Sequence, residues 1–183
     1  MELVKFTQSS KVLKYVLIII LGSIALTISA KIKIPFYPVP MTMQTFIVVL
    51  MGVTFGWKIG VATISLYLLE GIIGFPVFAG TPEKGLGLVY FMGPTMGYLI
   101  GFLFATFLAG YLNLKINIFL IFLKLILSVS IIYILGILWL GHLIGWDKPL
   151  LELGLMPFLL AELFKISLLT ILTKKLIKFR KFI

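Results

Sequence analysis

"VLKYVLIIILGSIALTISA", Val12 to Ala30, decides what kind of molecule this chain is. Lys11 and Lys14 stand at its head and small residues close it, which is the outline of a secretory leader. The apolar run is about 19 residues long, however, past the roughly 7 to 15 of a leader's apolar core, and more such runs follow. It reads as a retained transmembrane helix.

The rest of the chain agrees with that reading. Of 183 residues, 61% are hydrophobic and only 12% charged, against near 25% charged in soluble domains. A span needs about 20 apolar residues, with a working range of about 17 to 25. Six segments approach that: 12–30, 41–55, 59–73, 89–112, 116–140 and 157–173. The second and third are parted only by "GWK" at 56–58. The expected fold is an all-α integral membrane protein, a six-helix transmembrane bundle forming a single domain over 1–183.

Six spans put both termini on one side. Ten of the 16 basic residues fall in the tails and the short turns "GWK" and "NLK", four (Lys31, Lys33, Lys84, Lys148) in the opposite loops, and two within spans. Lys and Arg favour the cytoplasmic side, so both termini are expected in the cytoplasm and the chain in the cell membrane as a multi-pass protein. The formal charge of +10 is explained by tails lying against anionic lipid, with no nucleic-acid partner expected.

The loops on the other side are long and rich in Gly and Pro: "KIKIPFYPVP" (31–40), "GFPVFAGTPEKGLGL" (74–88) and "GHLIGWDKPLLELGLMP" (141–157). Long structured loops on a rigid scaffold are where binding residues concentrate. Pro35, Pro38 and Pro40 lack a backbone N–H and push the residues before them into extended conformations, so 31–46 is expected to be a stiff strap. Its unpaired carbonyls exclude it from lipid and suit it to covering a pocket. Lys31 and Lys33 run against the charge trend, and are expected to anchor the interface or attract an anionic ligand.

The absence of cysteine removes disulfides and thiolate chemistry, and a lone histidine, His142, gives no metal cluster. There is no nucleophile elbow and no phosphate-binding loop with its lysine. Neither an enzyme nor a resident cofactor or metal is expected.

Charges inside spans cost roughly 2.5 to 3.5 kcal/mol each on insertion scales, so each needs a reason. Lys124 lies near a span end, where its stem can snorkel, and Glu70 ends the third span, where an interface hydrates it. Glu162 and Lys165 are different. "PFLLAELFKISLL" sets them three apart on one helix face with opposite signs. At about 1.5 Å per residue from Pro157 they lie about 8 and 12 Å in from the outer end. An ammonium and a carboxylate so placed either form a structural pair or recognise a small acid that also carries N–H donors. In the first span Gly22, Ala25 and Ser29 form a small-residue face on which helices approach closely, within the bundle or against another subunit.

Five stretches then carry a resemblance: "PVPMTMQTF" (38–46), "YLLEGIIGFPVFAG" (67–80), "GPTMGYLIGF" (93–102), "YILGILWL" (133–140) and "PFLLAELFK" (157–165). In this order they resemble the BioY family, biotin-binding S components of energy-coupling factor (ECF) transporters. The resemblance implies a six-helix S-component bundle that captures biotin on the outer side, energised by a transmembrane T component and two ATPase subunits. The small-residue face of Gly22, Ala25 and Ser29 becomes the docking face for the T component. The family's acid and lysine fall on Glu162 and Lys165, with glutamate in place of the usual aspartate. Ala79 and Gly80 stand where some members carry Asn, and Thr42, Gln44, Tyr98 and Trp139 match family motifs. Biotin has a ureido group with two N–H donors and a valerate carboxylate. Glu162 is accordingly expected to take the ureido group, and Lys165 the carboxylate or Glu162 itself. The alternative reading is a self-sufficient proton-coupled carrier of a small organic acid, with Glu162 titrating.

Overall fold

The computed structural model describes residues 2–34 and 37–182, with side chains over 11–34 and 37–180; Pro35 of the expected strap therefore lies outside the described residues. Among these residues the helices are α1 (Glu2–Lys31), α2 (Gln44–Ile72), α3 (Leu88–Phe91), α4 (Met96–Tyr111), α5 (Ile118–Ile144), α6 (Leu150–Gly154) and α7 (Leu159–Leu176). Tighter 3-10 turns lie at Met156–Phe158 and Ile177–Phe182. Four helical segments are long and apolar enough to cross a membrane, and Met96–Tyr111 is a shorter apolar helix.

α2 is two arms rather than one rod. A continuous helix would hold Gln44 and Tyr67 about 34 Å apart, yet Gln44 Nε2 donates to Tyr67 Oη at 2.7 Å. The fold-back is at Gly56, whose φ of +78° and ψ of 172° leave the helix; only glycine takes such a positive φ without strain. The arms, 44–55 and 57–72, then pack so closely that a Cβ on Gly60 would come within 3.3 Å of the Gly52 Cα.

The expected helix over 89–112 is not continuous. α3 ends at Phe91 and α4 begins at Met96. Pro94 supplies no N–H and biases Gly93 away from helical backbone, and the Gly93 carbonyl accepts from Trp139 Nε1 at 2.9 Å and from the Met96 N–H at 3.1 Å. An unbroken apolar composition concealed this break.

The small-residue face of α1 is in large part taken up within the bundle. Gly22 and Ser29 are buried and Ala25 is half-buried, and a Cβ on Gly22 would run into Thr63 and Met51 of α2. The small residues let α1 lie close against α2. What α1 turns outward is the apolar stripe Val12, Val16, Ile20, Ile24 and Ile28, one side chain per turn, as a lipid-facing helix should. Ser23 Oγ donates to Glu70 Oε2 across the α1–α2 contact, which leaves Glu70 half-buried and paired rather than simply hydrated.

One end of the bundle is tied by short connections. Arg180 donates from Nε to the Val53 carbonyl (2.8 Å) and from Nη2 to those of Gly52 (2.9 Å) and Ala109 (3.4 Å). These are last-turn carbonyls that otherwise lack partners, and a cation suits the negative end of a helix. Lys124 Nζ donates to the Asn113 carbonyl at 2.8 Å. Tyr15, Gly56, Gly110 and Arg180 border one groove at this end, which we call the tail end.

The opposite, strap end carries the long loops. The strap folds into an antiparallel ladder, β1 (Lys33–Ile34) against β2 (Met41–Thr42), pairing Lys33 with Thr42 and Ile34 with Met41. Lys31 Nζ donates to the Phe78 and Thr81 carbonyls, both at 2.9 Å, and Lys33 Nζ to the Ala79 carbonyl at 2.8 Å. Two lysines thus clasp the strap to the 78–81 loop.

Candidate ligand-binding site

Beneath that clasp lies a cavity that is partly open to solvent. Val39, Pro40 and Thr42 of the strap form one wall, Phe78 and Ala79 another, and Tyr98, Leu99 and Phe102 of α4 a third. Tyr133 of α5, Phe158 and Glu162 close the far side. The aromatic walls are braced, with Phe78 stacked on Tyr90 at 5.2 Å between ring centres and Tyr133 edge-on to Tyr98 at 6.0 Å.

The polar chemistry is concentrated in one buried cluster. Glu162 and Lys165 sit three apart on α7 with side chains only 7% and 6% exposed, joined at 2.7 Å. Lys165 Nζ also donates to the Thr42 carbonyl (2.6 Å) and to Thr45 Oγ1 (3.0 Å), and Thr45 Oγ1 in turn donates to Glu162 Oε1 (2.7 Å). An ammonium has three protons, and all three are used. One goes to a strap carbonyl that has no ladder partner, which answers how non-helical backbone is kept at this depth.

Glu162 Oε1 accepts from both Lys165 and Thr45, whereas Oε2 is buried and has no hydrogen-bond partner among the described residues. A buried carboxylate oxygen without a donor is costly, roughly 1 to 3 kcal/mol or more for a charged group. Here it belongs to a residue that lines the cavity beside Tyr133, whose hydroxyl interacts with the Glu162 carboxylate both electrostatically and as a hydrogen-bond donor, although no bond to Oε2 meets ordinary geometry. An N–H donor entering the cavity would meet this oxygen beside the Tyr133 hydroxyl.

The other expected site residues divide. Thr42, Gln44, Ala79 and Tyr98 line the cavity with Glu162. Gln44 is held by Tyr67, and Tyr98 Oη donates to the Gly154 carbonyl at 2.8 Å, so each is fixed before any ligand arrives. Trp139 does not line the cavity; its indole N–H is spent on Gly93, which makes it a support of the break before α4. Thr45, Tyr90 and Tyr133 were missed. Thr45 was visible beside Gln44 in "MTMQTF", but nothing local ties it to residues 117 and 120 positions away.

This arrangement has known counterparts. A family model described as the BioY family matches residues 4–182. The chain is similar to the probable biotin transporter BioY of Pyrococcus horikoshii, 36% identical over 154 residues that make up 84% of this chain and 90% of that one. The biotin transporter BioY of Thermotoga maritima is 34% identical over 84% of this chain and 89% of that protein. Among solved structures, the S-component for biotin from an ECF-type ABC transporter superposes with a TM-score of 0.77 at 26% identity, covering 92% of this chain and 93% of that one. The order of the motifs, the helical architecture and these matches agree: this chain belongs to the BioY family.

Proposed function

We propose that the protein captures biotin at the outer side of the cytoplasmic membrane as the substrate-binding subunit of an ECF-type transporter. The observation that carries this is Glu162 Oε2, a buried acceptor that neither Lys165 nor Thr45 reaches, beside Tyr133 on the wall of a cavity lined mainly by apolar and aromatic side chains. Biotin brings two ureido N–H donors on an apolar bicyclic body, matching a site with few polar groups in an apolar surround. Lys165, with its protons committed, holds Glu162 and the strap in place; Thr42, Gln44, Ala79 and Tyr98 shape the wall.

In this reading α1, the two arms of α2, α4, α5 and α7 are the six crossings of one domain, with the tail end and both termini in the cytoplasm. The sequence has no phosphate-binding loop, so the energy comes from a T component and two ATPase subunits. The chain is a carrier component, not an enzyme. Calorimetric titration of the purified, detergent-solubilised protein with biotin tests it: saturable one-site heat is expected, and a flat thermogram from folded protein overturns the reading.

A further inference from the structure

If Glu162 takes the polar head of the ligand, the acid tail needs a cation, and Lys165 is not free to supply it. Its ammonium is shared among Thr42, Thr45 and Glu162. Turning it toward a ligand carboxylate would strip Glu162 of its counter-charge inside the protein, where an uncompensated charge is expensive.

A second cavity adjoins the first. It shares Pro40, Tyr90 and Thr95 with it and continues past Gly93 and Pro94 to Lys84. Lys84 is exposed, and its ammonium makes no hydrogen bond or ion pair with any described residue. Its stem is nonetheless placed. The Lys84 backbone N–H donates to the Gly80 carbonyl at 2.7 Å, and the side chain lies over Gly80, where an added Cβ would meet Lys84 Cδ at 2.9 Å. Gly80 N–H donates to Tyr90 Oη at 3.0 Å, which ties this turn to the aromatic partition between the cavities. Gly80 therefore does two things that a side chain there would obstruct: it meets Tyr90 and lets Lys84 lie across it.

We propose that Lys84 receives the carboxylate of the ligand, whose uncharged N–H-bearing ring sits at Glu162 while its aliphatic chain runs past Pro40, Tyr90 and Thr95, which line both cavities. The site then selects for an elongated acid with polar groups at both ends, and Lys84 sets the preference for the free acid. This rests on the biotin reading above.

The test compares biotin with biotinamide, its uncharged primary amide, by calorimetry on the parent protein, Lys84→Met and Lys84→Arg. The parent is expected to favour biotin. Lys84→Met should weaken biotin roughly twofold to fivefold, as for a solvent-accessible ion pair, and leave biotinamide unchanged. Lys84→Arg should keep the preference. Equal affinity of the parent for both ligands, an unchanged ratio in Lys84→Met, or equal weakening of both overturns the assignment of Lys84 alone. A parent that binds neither ligand overturns the biotin reading and this one with it.

Discussion

Glu162 and Lys165 are the residues on which the site turns, and the sequence placed them together because helical spacing is local and opposite charges inside a span are rare. What it left open was which of them faces a ligand. The hydrogen bonds favour Glu162: Lys165 is saturated by three acceptors, whereas Glu162 Oε2 is reached by neither Lys165 nor Thr45 and has Tyr133 beside it. Thr45, the third member, was illegible because its partners lie on the last helix, and only the tertiary fold brings them near. The pair can be tested by breaking it. Lys165→Met leaves the Glu162 carboxylate buried without its counter-charge, with only the neutral hydroxyls of Thr45 and Tyr133 beside it, a loss that costs about 3 to 5 kcal/mol for a buried pair. Thermal unfolding in detergent should show a clear fall in Tm together with loss of biotin binding. Adding Glu162→Gln removes the stranded charge, so the double variant should recover most of the Tm but not the binding. A single variant as stable as the parent would mean that Glu162 is compensated by something other than Lys165.

Among the elements, boundaries were legible where a residue's backbone chemistry marks them and illegible where hydropathy alone was the guide. "GWK" parted two apolar runs, and the structure folds α2 back at its glycine. The run from Val89 to Leu112 carried its own break at Gly93 and Pro94, but its uninterrupted apolar composition outweighed that signal. The same held for the small face of α1: spacing showed that a close approach was intended, not that α2 was the neighbour. The strap illustrates a third case. Its prolines foretold non-helical backbone, but only the fold shows Lys31 and Lys33 bonded to carbonyls of the 78–81 loop, whose Phe78 and Ala79 line the cavity. The lysines thereby tie their own segment to a wall of the cavity. Lys31→Met with Lys33→Met removes every clasp bond from these two side chains while leaving the Glu162 cluster intact. Biotin should then dissociate several-fold faster in stopped-flow measurements, since loss of closing contacts appears mostly in the off-rate. Unchanged association and dissociation rates would show that the clasp does not control access.

On the scale of the whole molecule the two ends differ in a way that assigns them different work. The strap end has the long loops, the clasp and the cavity; the tail end has short turns and Arg180 drawn onto the last carbonyls of the first α2 arm and α4. A ligand held under the strap has an opening on its own side and packed helix ends on the other. Release across the membrane therefore calls for motion of the whole bundle or of a partner, which is consistent with a capture subunit that leaves energy transduction to other chains. The proposal that the tail end is cytoplasmic and that α2 turns back there is open to direct measurement because the chain contains no cysteine. Single cysteines are introduced at exposed positions: Tyr37 and Lys148 at the strap end, and Lys58, Lys115 and Lys178 at the tail end. In intact cells a membrane-impermeant maleimide should label Tyr37→Cys and Lys148→Cys, and label the other three only after permeabilisation. Lys58 is the decisive position, since it follows the Gly56 fold-back by two residues. Labelling of Lys58→Cys from outside, with Lys115→Cys and Lys178→Cys protected, would mean that the two arms of α2 do not cross the membrane as a hairpin open to the outer side, and the count of six crossings would fall with it.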